Sequence, residues 1–206
     1  MKNTINGSPY RGSGQLTRQQ FLFFETRATA KLMAQRIDDE SIVELIVKDN
    51  IYQYPTEKTI RQVAVGCVAR LNGLNDEELV SAIANQDVET AKQICLYAMM
   101  KQYRLVWDFM ITVIGSKYRQ QDFGFHRREV NSFLLQLQEQ DDLVASWSES
   151  TVKKIGAVLM RLLIENEYID NSNSNRLNPV LVSRILENNI RSNGEEIVLP
   201  AFNCLT

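Results

Sequence analysis

Apolar residues recur every three or four positions along most of this chain, the spacing that collects them on one face of an α-helix. The clearest example follows Pro55, where Thr56 is well placed to cap a helix. The apolar face of that helix is formed by Ile60, Val63, Ala64, Cys67, Val68 and Leu71. The spacing therefore predicts a long helix with one buried side.

The same periodicity predicts helices on both sides of this one. Their caps or first residues are Thr17, Asp38 or Asp39, Asn75, Asp87, Arg127, Asp142, Ser148 or Ser150, and Pro179. The helix after Thr17 is expected to reach about Arg36. The apolar segment after Asp87 is expected to break near Gln102 and to resume to about Tyr118. Helices dominate the prediction, so the fold class that it indicates is all-α.

One short stretch departs from helical spacing. Tyr168 to Asp170 and Arg176 to Leu177 flank a polar tract, Asn171 to Asn175, whose residue types favour turns. Two short extended pieces around such a tract predict one small β-hairpin. A further short strand is predicted at the tail, from Ile197 to Phe202.

Changes in composition divide the chain into three parts. Residues 1–14 are rich in Asn, Ser and Gly and are expected to form a flexible arm. Residues 15–122 are expected to form an N-terminal helical bundle, and residues 123–206 a C-terminal subdomain that contains the hairpin.

The composition also bears on where the protein works. The arm has no apolar core of the kind that a signal peptide needs. The most apolar stretch, Ile94 to Ile114, is interrupted by Lys101, Arg104 and Asp108, whereas a membrane span needs about 20 apolar residues. The three cysteines are widely spaced and form no CxxC pair, which favours a reducing compartment. We therefore expect a cytoplasmic protein with no membrane partner.

Signatures of catalysis are missing from the sequence. His126 is the only histidine, so neither a catalytic triad nor a His-based metal cluster can be assembled. The chain contains no P-loop, no glycine-rich dinucleotide turn and no nucleophile elbow. Acidic runs such as Asp38 to Glu40 lie at predicted helix starts, where carboxylates stabilise the helix dipole. We expect a binding protein rather than an enzyme, with no metal, cofactor or small-molecule substrate.

A basic helix face is the main sequence feature that indicates a function. On the helix that begins near Ser150, the side chains of Lys153, Lys154 and Arg161 share one face, opposite the Ile, Leu and Val stripe. A helix, a turn, a second helix with a basic face and a hairpin follow one another in the order of a winged helix-turn-helix. Such a module places its second helix in the DNA major groove, and Arg176 of the hairpin would reach the backbone or the minor groove. The alternative is an ordinary solvated helix face followed by a loop.

A second basic cluster surrounds a predicted loop. Lys117, Arg119, Arg127 and Arg128 are set against one acidic residue, Asp122, and either extend a phosphate-contacting surface or serve solubility. The formal net charge of −2 does not exclude a basic face, because the charges are segregated along the chain. Residues 73–98 carry one basic and five acidic groups, whereas residues 99–161 carry nine and seven.

Several short motifs occur in a recognisable order. The central one is Tyr103-Arg104-Leu105-Val106-Trp107-Asp108-Phe109, with Tyr97 before it. The others are Gly14, Phe24-Glu25-Thr26, Thr59-Ile60-Arg61, Arg70-Leu71, Ser150 to Lys154, Glu165 to Asp170 and Leu177-Asn178-Pro179. This ordered set, from about Gly14 to Asn188, resembles the BrxA family of the bacterial BREX phage-exclusion systems.

The resemblance implies an all-helical protein with two subdomains, in part a NusB-like helical bundle. The winged-helix-like C-terminal subdomain predicted above fits beside that bundle. The resemblance further implies a protein that binds double-stranded DNA and supports host defence without catalysis, with other BREX components as possible partners. Two alternatives remain at this stage: a protein-interaction scaffold within the defence complex, and RNA binding through the NusB-like bundle.

Overall fold

Helices and turns make up the computed structural model, which describes residues 7–205. The α-helices of these residues are α1 (Phe23–Met33), α2 (Asp39–Lys48), α3 (Glu57–Asn72), α4 (Glu77–Asn85), α5 (Val88–Gln102), α6 (Arg104–Phe109), α7 (Ser116–Arg119), α8 (Arg127–Gln140), α9 (Asp142–Ala145), α10 (Glu149–Glu165) and α11 (Arg184–Ser192). A π-helical stretch, Met110–Gly115, joins α6 to α7, and 3₁₀-helices span Ser13–Thr17 and Glu196–Phe202. The all-α prediction is confirmed.

The helices group into two units. The central unit is one continuous piece of chain, Phe21–Gln102. The split unit combines the residues up to Gln20 with Tyr103 and all that follow. This division differs from the predicted boundary between residues 122 and 123, because the long apolar segment breaks at Tyr103, whose backbone is extended (φ −125°, ψ 107°). The predicted break near Gln102 therefore separates two units as well as two helices.

The core of the central unit lies between α1, α2 and α3, and α4 packs against both α1 and α5. As predicted, Thr56 caps α3, and its hydroxyl oxygen accepts the amide hydrogen of Thr59 at 3.3 Å. Asp38 caps α2 in the same way. The predicted cap of α4, Asn75, is wrong by one residue: Asp76 accepts from the Leu79 amide at 2.9 Å, while Asn75 adopts a positive φ of 52°.

In the split unit, α8 packs against α9 and α10, and the π-helical stretch packs against the 3₁₀-helix Glu196–Phe202. Gly115 makes that second contact possible, since a Cβ atom there would lie 3.1 Å from the Ala201 nitrogen. The 3₁₀-helix Ser13–Thr17 packs against α10. Residues 7–14, predicted as part of a flexible arm, include a buried Ser8 hydroxyl that donates to Asp141 at 3.0 Å; residues 1–6 of the predicted arm lie outside the described part.

Two predicted helix starts are wrong. Thr17 belongs to the 3₁₀-helix Ser13–Thr17, and α1 begins only at Phe23, after Leu22 with a positive φ of 53°. The last helix begins at Arg184 instead of Pro179, because residues 177–183 run without regular structure. In both places the chain contacts a segment that is distant in sequence: Ser13–Thr17 packs against α10, and the Leu177 amide donates to the Phe123 carbonyl. Local spacing does not report such contacts.

The predicted β-hairpin is not formed within residues 7–205, and the predicted tail strand is a 3₁₀-helix. Between the two segments that were predicted to pair as the hairpin, the backbone amide of Asn178 donates to the Tyr168 carbonyl at 2.8 Å. The Asn178 side-chain amide donates to the Glu167 carbonyl at 3.0 Å and to the Asp170 carboxylate at 2.9 Å. These hydrogen bonds come from a side chain, whereas a β ladder is formed by backbone hydrogen bonds. Arg176 instead forms an antiparallel bridge with Gly124.

Candidate nucleic-acid interface

Helix α10 is fixed in place by a cap and by a buried stripe. The Ser148 hydroxyl oxygen accepts from the Thr151 amide at 3.2 Å and satisfies one of the free donors at the helix start. The predicted apolar side is buried: Ile155, Val158, Leu159, Leu162 and Leu163 are each at most 5% exposed. Because this side is packed, the opposite side faces the solvent in a defined orientation.

The three predicted basic residues of α10 lie on that exposed side. Lys153, Lys154 and Arg161 are all exposed. Lys153 forms an ion pair with Glu149 at 3.6 Å, but the two side chains are 78% and 91% exposed, and surface pairs of this kind contribute little. Lys153 and Arg161 are eight residues apart, which corresponds to about 12 Å along the helix axis. The face can thus present positive charge over roughly the width of a DNA major groove.

The bridge at Arg176 brings a second group of predicted residues together. Around it, the Phe125 amide donates to the Asn175 carbonyl at 3.0 Å, and the Leu177 amide donates to the Phe123 carbonyl at 2.7 Å. The Arg176 guanidinium lies 5.6 Å from the centre of the Phe123 ring, a distance suited to a cation–π contact. The bridge therefore holds Arg176 a few residues from the beginning of α8.

Arg127 and Arg128 form the first turn of α8, and both are exposed. Arg128 lies 3.5 Å from Glu129, whereas within residues 7–205 no ion pair involves Arg127 or Arg176. We call Arg127, Arg128 and Arg176 the loop cluster. Its three guanidinium groups come from two segments almost 50 residues apart and are joined by the backbone pairing described above.

Lys117 and Arg119, the other predicted members of this cluster, are engaged within the split unit. The Lys117 ammonium donates to Asp122 at 2.9 Å and is only 15% exposed. This hydrogen bond, with another from the Gly124 amide, lowers the pKa of Asp122. Arg119 is exposed, and its guanidinium lies 3.4 Å from the Gly115 and Ile111 carbonyls. Both residues therefore support local structure, and only Arg119 remains accessible.

Two residues outside the predicted set support the basic side chains. Gln20 accepts a hydrogen bond from Arg161 at 2.5 Å, and Phe123 supports Arg176. The available signal for Phe123 was the occurrence of two aromatic residues, Phe123 and Phe125, in an otherwise polar loop. For Gln20 no local signal exists, because its partner lies 141 positions away.

Among the described residues, no group of three or more His, Cys, Asp or Glu side chains is arranged to hold a metal ion. No helix between residues 7 and 205 is long and apolar enough to cross a membrane. Tyr103 and Phe109 are buried, and Trp107 is partly buried, so the aromatic residues of the central motif contribute mainly to packing.

The fold and this surface define an all-helical protein with an exposed cationic helix face. The chain belongs to the BrxA family, whose model matches residues 9–194. Proteins named BREX protein BrxA are similar over most of their length. The one from Bacillus cereus (strain H3081.97) is 32% identical over 180 residues, covering 86% of this chain and 89% of the relative. The one from Escherichia coli O9:H4 (strain HS) is 28% identical over 156 residues, covering 76% and 73%.

A solved structure has a similar fold. It is described as an uncharacterized protein from Magnetospirillum magneticum and superposes with a TM-score of 0.77, covering 92% of this chain and 96% of that one. The two sequences are 23% identical, so this likeness concerns the fold alone. A protein named BREX protein BrxA from Paramagnetospirillum magneticum (strain ATCC 700264 / AMB-1) is 25% identical to this chain over 175 residues.

Proposed function

We propose that this protein is a non-catalytic component of a BREX phage-defence system and that it binds double-stranded DNA through the split unit. Its relatives' shared name supports the defence role. The observation that carries DNA binding is the exposed face of α10, where Lys153, Lys154 and Arg161 stand opposite a completely packed stripe. Basic side chains on a rigid helix can neutralise phosphates without any rearrangement of the protein.

The order of elements around α10 supports a winged-helix mode of binding. The segment 123–125 precedes α8 and α9, then α10, and the chain returns at residues 175–177 to pair with that first segment. In a winged helix-turn-helix the helix in the position of α10 enters the major groove. The loop cluster would then contact the phosphate backbone beside the groove. Base contacts are few in this mode, so we propose weak sequence preference.

Salt dependence provides the direct test. Binding of a short DNA duplex should weaken steeply between about 50 and 200 mM salt. If the six cations of α10 and the loop cluster all contact phosphate, the slope of log K against log salt should be about −5. An RNA duplex of the same sequence, measured in parallel, tests the alternative of RNA binding. Absence of DNA binding at the lowest salt would refute the proposal.

A groove in the central unit favours a second candidate function, that of a protein-interaction scaffold. It has a volume of about 930 Å³. Partly buried apolar side chains, Met33, Ile37 and Val80, form part of its lining. The charged residues of the lining are three acidic and one basic: Asp38, Asp76, Glu77 and Arg36. Such a lining would suit a partner segment with one apolar and one basic side chain. Co-purification with proteins of the same defence system, lost in Glu77→Lys and Val80→Asp variants that still bind DNA, would support this role.

A further inference from the structure

The segment before α1 is part of the same surface as the basic face of α10. Its 3₁₀-helix, Ser13–Thr17, packs against α10, and the side chains of Ser13 and Leu16 are buried, at 1% and 0% exposure. The Thr17 hydroxyl donates to the Gly14 carbonyl at 2.9 Å and stabilises the turn. These contacts fix the path of the chain as it passes α10.

Gln20 joins this segment to the basic face. Its side-chain oxygen accepts a hydrogen bond from Nη1 of Arg161 at 2.5 Å. An amide oxygen orients a guanidinium group without neutralising it, so Arg161 keeps its full positive charge. The guanidinium group has five N–H donors, and several of them remain available for an anion. Gln20 therefore orients the Arg161 guanidinium group and leaves it able to bind a phosphate.

Arg18 lies two residues before Gln20 and is exposed. Two residues of extended chain span no more than about 7 Å, so the Arg18 backbone is held close to the Gln20 and Arg161 pair. No acidic side chain among residues 7–205 forms an ion pair with Arg18. The Arg18 backbone and the Arg161 guanidinium group, from distant parts of the sequence, thus lie close together beside α10.

From this placement we propose that Arg18 is a further phosphate-binding residue, which binds the DNA backbone together with Arg161. The inference rests on the proposed function. Arg161 stands about 12 Å along α10 from Lys153, and the major groove is about 12 Å wide. With the first turns of α10 in the groove, Arg161 and Arg18 meet the phosphates at its edge.

The test compares single variants of the full chain by fluorescence anisotropy with a DNA duplex. At low salt, Arg18→Glu should weaken binding about tenfold and make the salt slope shallower by about 0.9, because one phosphate contact is lost. Gln20→Ala should weaken binding about threefold, since only the orientation of Arg161 is relaxed. The control is Lys58→Glu on α3 of the central unit, an exposed residue with the same change of charge. It should change affinity by less than about twofold.

The possible outcomes separate this inference from the proposed function. If Arg18→Glu matches the control while Lys153→Glu weakens binding, Arg18 is not a ligand and the DNA-binding surface stays on α10. If the unaltered protein binds no duplex at low salt, the proposed function fails and this inference fails with it. The thermal melt of Arg18→Glu should coincide with that of the unaltered protein, because the Arg18 side chain is exposed.

Discussion

The central and split units use their basic side chains in different ways. In the central unit, Arg61 pairs with Glu44, Arg27 donates to the Gln86 carbonyl at 2.6 Å, and Arg70 is buried, with Nη1 donating to the Phe21 carbonyl at 2.6 Å. In the split unit, Lys154 and the arginines of the loop cluster are exposed. The units carry 9 basic and 12 acidic groups against 14 and 13. Lys31, Lys48 and Lys58 of the central unit are exposed as well, but they lie on three different helices. The contrast therefore lies in grouping, because Lys153, Lys154 and Arg161 of the split unit share one helix face.

Charge reversal on α10 should produce the largest loss of DNA affinity and is the strongest test of this comparison. Changing Lys153, Lys154 and Arg161 together to Glu should weaken duplex DNA binding at low salt about a hundredfold and make the salt slope shallower. Folding should survive, because these side chains lie opposite the buried stripe.

A matched triple change in the central unit provides the control. Lys31, Lys48 and Lys58 are exposed there, and their joint replacement by Glu alters the net charge equally. Its affinity, measured by anisotropy under the same conditions, should stay within about threefold of the unaltered protein. Equal losses in the two triple variants would mean that net charge alone drives binding, and the comparison would fail.

Two glycines of the split unit should respond in opposite ways. Gly115→Leu should lower the free energy of unfolding by about 2 kcal/mol, because any side chain there meets the backbone of the last 3₁₀-helix. Gly156→Ala should raise it by up to about 1 kcal/mol, since its Cβ would sit 3.5 Å from Leu134 and alanine favours a helix. Urea denaturation of both variants measures the difference. Tolerance of Gly115→Leu would show that the π-helical stretch and the tail are loosely packed.

Helix caps should contribute similar amounts to the free energy of unfolding in the two units. Ser148→Ala at α10 and Thr56→Ala at α3 should each lower the free energy of unfolding by about 1 kcal/mol, because each removes one acceptor for a helix amide. The first change should also weaken DNA binding slightly by loosening the start of α10. A larger affinity loss for Thr56→Ala than for Ser148→Ala would contradict the assignment of the interface to the split unit.

The smallest effect concerns the pH response of the loop near α8. The hydrogen bond from Lys117 holds the pKa of Asp122 below its ordinary value of 3.8. A lowered pKa means that this contribution to stability is present above pH 3.8 and is lost as the pH falls through the folded-state value. NMR titration of the Asp122 carboxyl carbon should show the lowered pKa, and Lys117→Met should raise it. If the pKa of Asp122 were unchanged in Lys117→Met, the Lys117–Asp122 ion pair would not be the cause of the lowered pKa.

Much of the fold follows from local pattern. The predicted starts of α3, α8 and α10 are right to within one or two residues, because apolar residues on the buried face of a helix recur every three or four positions. The break near Gln102 was also visible, since charged residues interrupt the apolar run there. By contrast, the hairpin prediction failed, because two short extended pieces carry no information about which segment each will pair with.

By itself, the sequence determined the helical class, the membership of the BrxA family and the exposure of the three basic residues on α10. The tertiary structure decided which cations are available and which are engaged. It pairs Lys117 with Asp122, sets Arg176 on Phe123 beside the start of α8, and ties Arg161 to Gln20. The physical reason is that periodicity reports one element at a time, whereas these contacts join segments far apart in the chain, and only packing brings them together.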